Sequence, residues 1–233
     1  WAGYDRCSVD GFRDYYRQLT DTEPKRAANY GINHHCWLCI NPKEAQDVGF
    51  AREVMSIIPE FLDAGNVLGI GEIGLNKNTK NELTILGEHL DLAKARNELV
   101  LVHTPHLEDK LKGTLLIMDA VAESGLNPDR VLIDHVEEHT VGAVLDRGFW
   151  AGMTLYPDTK CTPQRAVDIL ERWGTDHIWM NSAGDWGDSD PLAVPKARME
   201  MKRRRHPASM VEKVTFANPI TFLSRSPNFH LDD

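Results

Sequence analysis

Four residues of metal-binding type stand at corresponding places along the chain: Glu72 in GIGEIG, His103 in LVLVHTPH, His135 in VLIDHVEEH and Asp185 in IWMNSAGDWG. Each lies at or just past a short apolar run. One carboxylate and two imidazoles are the ligand types of a zinc or manganese site, and a further Asp can bind metal or move a proton. One histidine after an apolar run is ordinarily a capping or hydrogen-bonded residue. Two histidines and two acids at the same address need another explanation, and convergence on divalent metal supplies it. Polar groups at the same level are candidate substrate contacts: Asn41 and Lys43 in INPKEA, His106, Tyr156, Lys160, Ser182 and Trp186. Lys43 and Lys160 suit an anionic substrate group, which a lysine can steer and neutralise.

Three other patterns compete for these residues. GIGEIG spells the G-x-G-x-x-G of a dinucleotide loop, which requires a helix opening within the motif and an acid closing the next strand. Here a polar segment, Leu75 to Lys80, follows, and the next apolar run ends in His103. HVEEH spells an inverted zinc-peptidase motif, which must lie on one helix, whereas His135 ends an apolar run and His139 is expected in the first turn of the following helix. Cys36 and Cys39 form a C-x-x-C within an apolar run, where positions i and i+3 face opposite sides, so two ordinary buried cysteines are expected.

The elements that must position these groups alternate regularly. Strand-like runs fall at His34–Ile40, Val67–Ile70, Leu99–Val102, Arg130–Ile133, Phe149–Leu155 and His177–Met180. Between them lie amphipathic stretches at Phe50–Ala64, Asn81–Arg96, Leu107–Ser124, Thr140–Asp146 and Pro163–Trp173. This rhythm predicts a parallel sheet covered by helices. With polar chemistry recurring just past the strand ends, it favours a TIM-type (β/α)8 barrel, whose active sites are built there, over a doubly wound sheet. Such a barrel has eight strands. Residues 1–30 read as a loop and a helix, so the expectation is a barrel lacking its first two strands in this chain. Residues 1–233 are expected to form a single, N-terminally incomplete domain.

Composition bounds the function. The hydrophobic fraction of 42% and charged fraction of 26% are those of an ordinary globular chain, and no apolar run is long enough for a membrane span. A net charge of -9 argues against nucleic acid as a partner. The basic cluster Lys202 to His206 reads as a solvated helix end. Four scattered cysteines and no secretory signal suggest the cytoplasm. The chain opens on Trp1 rather than Met.

At these residues the chain resembles the TatD-like hydrolases of the amidohydrolase superfamily. Gly71-Glu72-Ile73-Gly74-Leu75 resembles the family's GEIGL, His103-Thr104 its strand-end HT, His135 its next strand-end His, and Asp185 its last-strand Asp. The likeness spans most of residues 32–225. It implies a hydrolase using two divalent ions (Zn, Mn or Mg) in the complete enzyme: Glu72, His103 and His135 supply one site, and Asp185 supplies part of the second and takes the proton of the attacking water. The family's H-x-H pair from the first strand is absent from this sequence, in keeping with the two missing strands. Nuclease members carry His-Pro-His where this chain has Asn41-Pro42-Lys43, and Glu-Thr-Asp-x-Pro where it has Asn181-Ser182-Ala183-Gly184-Asp185. These departures speak against DNase activity. The strings INPKEA, VHTPH, IDH and NSAGDWG are most similar to the branch found in bacterial Ebo-type secondary-metabolite clusters. The expected activity is hydrolysis of a phosphoester, ester or cyclic amide in a small molecule. The alternatives are a non-catalytic scaffold keeping one metal, a TatD-type deoxyribonuclease and, more distantly, a nicotinamide oxidoreductase. Nothing in the sequence sets the oligomeric state.

Overall fold

A computed structural model of the chain describes residues 4–105, 108–156, 159–184 and 188–231. Its six strands are β1 (Cys36–Leu38), β2 (Val67–Gly74), β3 (Leu99–His103), β4 (Val131–Ile133), β5 (Trp150–Leu155) and β6 (Ile178–Ser182). All neighbouring pairs are parallel, and the spatial order follows the sequence order. A doubly wound sheet reverses its strand order at a switch point; this one does not. It is a curled half-barrel, six strands of the eight in a TIM barrel.

The helices are α1 (Val9–Arg17), α2 (Glu23–Ala28), α3 (Val48–Ile57), α4 (Pro59–Leu62), α5 (Lys80–Arg96), α6 (Lys110–Ser124), α7 (Val141–Asp146), α8 (Pro163–Trp173), α9 (Ala193–Arg203), α10 (Ala208–Glu212) and α11 (Asn218–Leu223). None is long and apolar enough to cross a membrane among the described residues. Their boundaries follow local chemistry. The single helix expected over Phe50–Ala64 is broken at Pro59, which has no N–H for the helical ladder. The helix α5 begins at Lys80 because Thr79 and Glu82 close a reciprocal capping box, and α6 begins at Lys110 because the Asp109 carboxylate accepts from the Lys112 N–H. Residues 1–30, expected as a loop and a helix, contain α1 and α2 joined by a π-helical turn at Gln18–Thr22.

Strand alternation sorts the side chains onto two faces. Val100, Val102, Ile133, Ala151, Met153 and Ile178 pack outward under the helices in the main core. Leu99, Leu132, Trp150 and Trp179 point the other way, into a smaller core that Phe222 of α11 closes. Each fully buried Leu, Ile, Phe or Met contributes about 1.5–3 kcal/mol, so the apolar middles of the strands hold the sheet and leave their C-terminal ends free for polar residues. By the same parity His103, Thr154 and Asn181 fall on the inner face at those ends.

Candidate metal centre

The chain reaches this site first at Glu72. The β2–β3 register shifts between Gly71 and Ile73, so Glu72 is the extra residue of a bulge, a feature that re-aims a side chain. The Gly71–Glu72 peptide bond is cis. The glycines around it are explained by strand packing. A Cβ at Gly71 would lie 2.6 Å from the Leu101 Cβ, and one at Gly74, where φ is +139°, would lie 2.1 Å from the His103 carbonyl oxygen. GIGEIG therefore lies within a strand pressed against its neighbour, and the next helix opens only at Lys80. His103 ends β3, and His135 follows β4 with a left-handed φ of +62°.

These three side chains meet. His135 Nε2 is 2.7 Å from Glu72 Oε1 and 3.0 Å from His103 Nδ1, and His103 Nδ1 is 3.4 Å from Glu72 Oε2. One donor atom from each lies within 4.8 Å of the others. The histidine side chains are nearly sealed at 6% and 5% exposure, while Glu72 keeps 27% and faces the cleft. Asn41 donates its amide to Glu72 Oε2 at 3.4 Å.

The surrounding hydrogen bonds fix the His135 tautomer. Thr154 has one hydroxyl proton, and it goes to Asp134 Oδ1 at 3.0 Å. Its oxygen then accepts from His135 Nδ1–H at 2.7 Å. That leaves the Nε2 lone pair aimed at a carboxylate oxygen 2.7 Å away, and two acceptors so placed repel unless a proton or a metal cation lies between them. Asp134 organises this shell: Oδ1 also accepts from the His135 N–H at 2.8 Å and from the Asn181 amide at 3.0 Å. Ligating histidines characteristically have their second nitrogen held in this way. Burial pushes His103 down to about 4 against the pull of Glu72. Burial would raise the Glu72 carboxyl, but attraction and hydrogen bonds from the two imidazoles, when they carry a proton toward it, outweigh this and hold it well below the usual carboxylate range. A neutral imidazole and an ionised carboxylate are the protonation states in which these groups bind metal, so the donor set fits a divalent ion.

A cleft of about 300 Å³ opens on the cluster, and Asn41, Lys43, Tyr156, Lys160 and Ser182 all line it. Lys160 Nζ comes within 3.4 Å of His135 Nε2 and lies 5.7 Å from the Tyr156 ring centroid. Three anticipated site residues, His106, Asp185 and Trp186, lie outside the described residues. Asp134, Thr154 and Asn181 were not anticipated. Asp134 had a visible signal, a carboxylate immediately before a strand-end histidine; Thr154 and Asn181 had none beyond being polar in apolar runs. His139 and the two cysteine thiols are not among the donors that meet. His139 lies in the turn preceding α7 rather than in its first turn. Cys36 is buried with its thiol pushed up to about 12 by burial, and the half-buried Cys39 donates its S–H to the Glu72 carbonyl oxygen at 3.2 Å.

No protein-family model matches the chain. It is similar to an uncharacterised metal-dependent hydrolase of Methanocaldococcus jannaschii, 29% identical over 202 residues that span 85% of this chain and 77% of that protein. Among solved structures it is similar to the TatD-like protein of Archaeoglobus fulgidus, with a TM-score of 0.73 and 27% identity over 96% of this chain and 86% of that one. The phosphotriesterase homology protein of Escherichia coli, solved with phosphate in its active site, shares the fold at a TM-score of 0.69 and 12% identity, over 86% of this chain and 78% of that one. With the strand order, the donor cluster and these likenesses in agreement, the chain has the fold of the TatD-like metal-dependent hydrolases.

Proposed function

We propose that this chain, working as one domain, is a divalent-metal-dependent hydrolase of a small molecule carrying a phosphoester, ester or cyclic amide. The observation that carries the reading is the meeting of Glu72, His103 and His135 donor atoms within 4.8 Å at three successive strand ends. These residues would hold one ion, and Asp185, the last-strand acid of the family resemblance, would contribute to a second and accept the proton of the attacking water. A divalent ion held there supplies Lewis acidity, which polarises the scissile bond and makes water a better nucleophile near neutral pH. Thr154 and Asp134 keep His135 in the ligating tautomer, and Asn41 orients the Glu72 carboxylate. Lys43 and Lys160 place positive charge around the cleft, which suits a substrate bearing phosphate or carboxylate. The cleft volume suits a small molecule, and so does the likeness of INPKEA and NSAGDWG to the Ebo-type branch. A net charge of -9 speaks against nucleic acid as the substrate.

The scaffold alternative, a barrel keeping one metal, needs only these three donors. The two readings separate on metal stoichiometry and turnover. Metal analysis of the purified chain should find bound divalent ion, and a panel of small phosphoesters, carboxylic esters and lactams should include a substrate. Glu72→Gln should lose metal and hydrolysis together, with an unchanged circular dichroism spectrum. Metal retained without turnover on any ester or amide would select the scaffold, and full activity in Glu72→Gln would refute the metal-site assignment. Cleavage of a labelled DNA duplex would restore the nuclease alternative.

A further inference from the structure

Lys110 is the first residue of α6 and is 7% exposed. Its Nζ donates to the His135 carbonyl oxygen at 2.8 Å and lies 3.4 Å from both Thr104 Oγ1 and Glu137 Oε1. The Thr104 hydroxyl donates to the neighbouring Asp134 carbonyl at 2.9 Å. Two consecutive carbonyls after β4 are thus held by Lys110 of α6 and by Thr104 just past β3, while the His135 N–H and ring are held by Asp134 and Thr154.

This arrangement is costly to maintain. A buried ammonium loses its hydration and must be repaid by a counter-charge and by hydrogen bonds. Glu137 supplies the charge and is itself held by Arg165 at 3.1 Å. If the position needed only filling, an aliphatic residue would do so without that penalty. His135 is also a non-glycine residue in the left-handed region, a conformation that persists only where its surroundings over-determine it. The carbonyl that Lys110 holds is His135's own, so the bond restrains the backbone that carries the imidazole.

We infer that Lys110 is a positioning residue, whose ammonium locks the His135 carbonyl so that His135 Nε2 faces Glu72 and His103. The inference rests on the metal-site reading above, and the test separates the two. Zinc or manganese affinity is measured by competition with a chelating dye on the full chain, alongside urea unfolding and the visible spectrum of the cobalt-loaded protein. Lys110→Met should weaken metal binding by about 10–100-fold, the usual consequence of losing a partner of a ligating histidine, and should shift the cobalt spectrum as one imidazole leaves its place. Lys112→Met, an exposed lysine on the same helix, should leave both unchanged. A purely structural role would lower the urea midpoint while leaving native-state affinity and spectrum as they were, and that result overturns the inference. If Lys110→Met does not fold, Thr104→Val decides: it removes the neighbouring clamp and should weaken binding in the same sense, and unchanged affinity overturns the inference. Failure of the unsubstituted chain to bind any ion would instead refute the metal-site reading itself.

Discussion

At the scale of single residues, the site depends on which proton sits where. Thr154 donates its hydroxyl hydrogen bond to Asp134, which obliges His135 to donate from Nδ1 and leaves Nε2 with its lone pair toward the cluster. Thr154→Val keeps the shape and removes the acceptor. We expect metal affinity to fall by about 10–100-fold with little change in fold, read by chelator competition. Unchanged affinity would mean that the tautomer is set by something else. Glu72, His103 and His135 were legible in the sequence because each follows an apolar run in the same way, and that repetition survives without coordinates. Thr154, Asn181 and Lys110 were not. A threonine in a strand and a lysine at the start of a helix are ordinary residues until the fold brings them within 3 Å or so of a ligand.

At the scale of elements, the six strands were legible because burial on both faces writes near-continuous apolar runs. Their ends were less so. The strand β2 continues through Gly74, four residues past the run that marks it, since glycines carry no hydrophobic signal and serve here to let β2 approach β3. A second connection between elements is equally hidden. His89 on α5 donates from Nδ1 to the Ile85 carbonyl at 2.9 Å, and its Nε2 accepts from the Ile40 N–H, just beyond β1, at 3.4 Å. The bond from Ile40 needs the neutral ring, and burial pushes His89 down to about 4. A histidine that resists protonation in the fold but titrates near 6.5 when unfolded gives its full stabilisation above about pH 6.5 and loses it as the pH falls toward 4, an effect of about 3 kcal/mol. His103 titrates in the same window, so the comparison must be made between proteins. In chelator, the stability of His89→Gln should fall less steeply between pH 6.5 and 4 than that of the parent. Equal slopes in urea titrations would show that His89 does not titrate as the fold requires.

At the scale of the whole molecule, the candidate centre ties β2, β3 and β4 together at one end, so an ion there should stabilise the entire sheet. An ion present at 100 times its dissociation constant adds about 2.7 kcal/mol, which in a domain of this size corresponds to a rise of about 5–10 °C in melting temperature. Calorimetry with and without chelator measures it, and no shift would show that the donors do not bind the ion in the folded chain. The barrel class was legible from the regular alternation and the polar strand ends, and the unbroken strand order confirmed it. Which face lies inward was not, because alternating residues such as Leu99 and Val100, or Trp150 and Ala151, are alike apolar.

That unbroken order also bears on how the molecule comes into being. Each strand pairs with the one made just before it, so contacts are local in the chain, and synthesis presents the partners in sequence. The three donors emerge at residues 72, 103 and 135. On the metal-site reading proposed above, a growing chain would have no complete grip on an ion until the turn after β4 has left the ribosome, and from then on a captured ion would hold the early half in place while the later half is still being made.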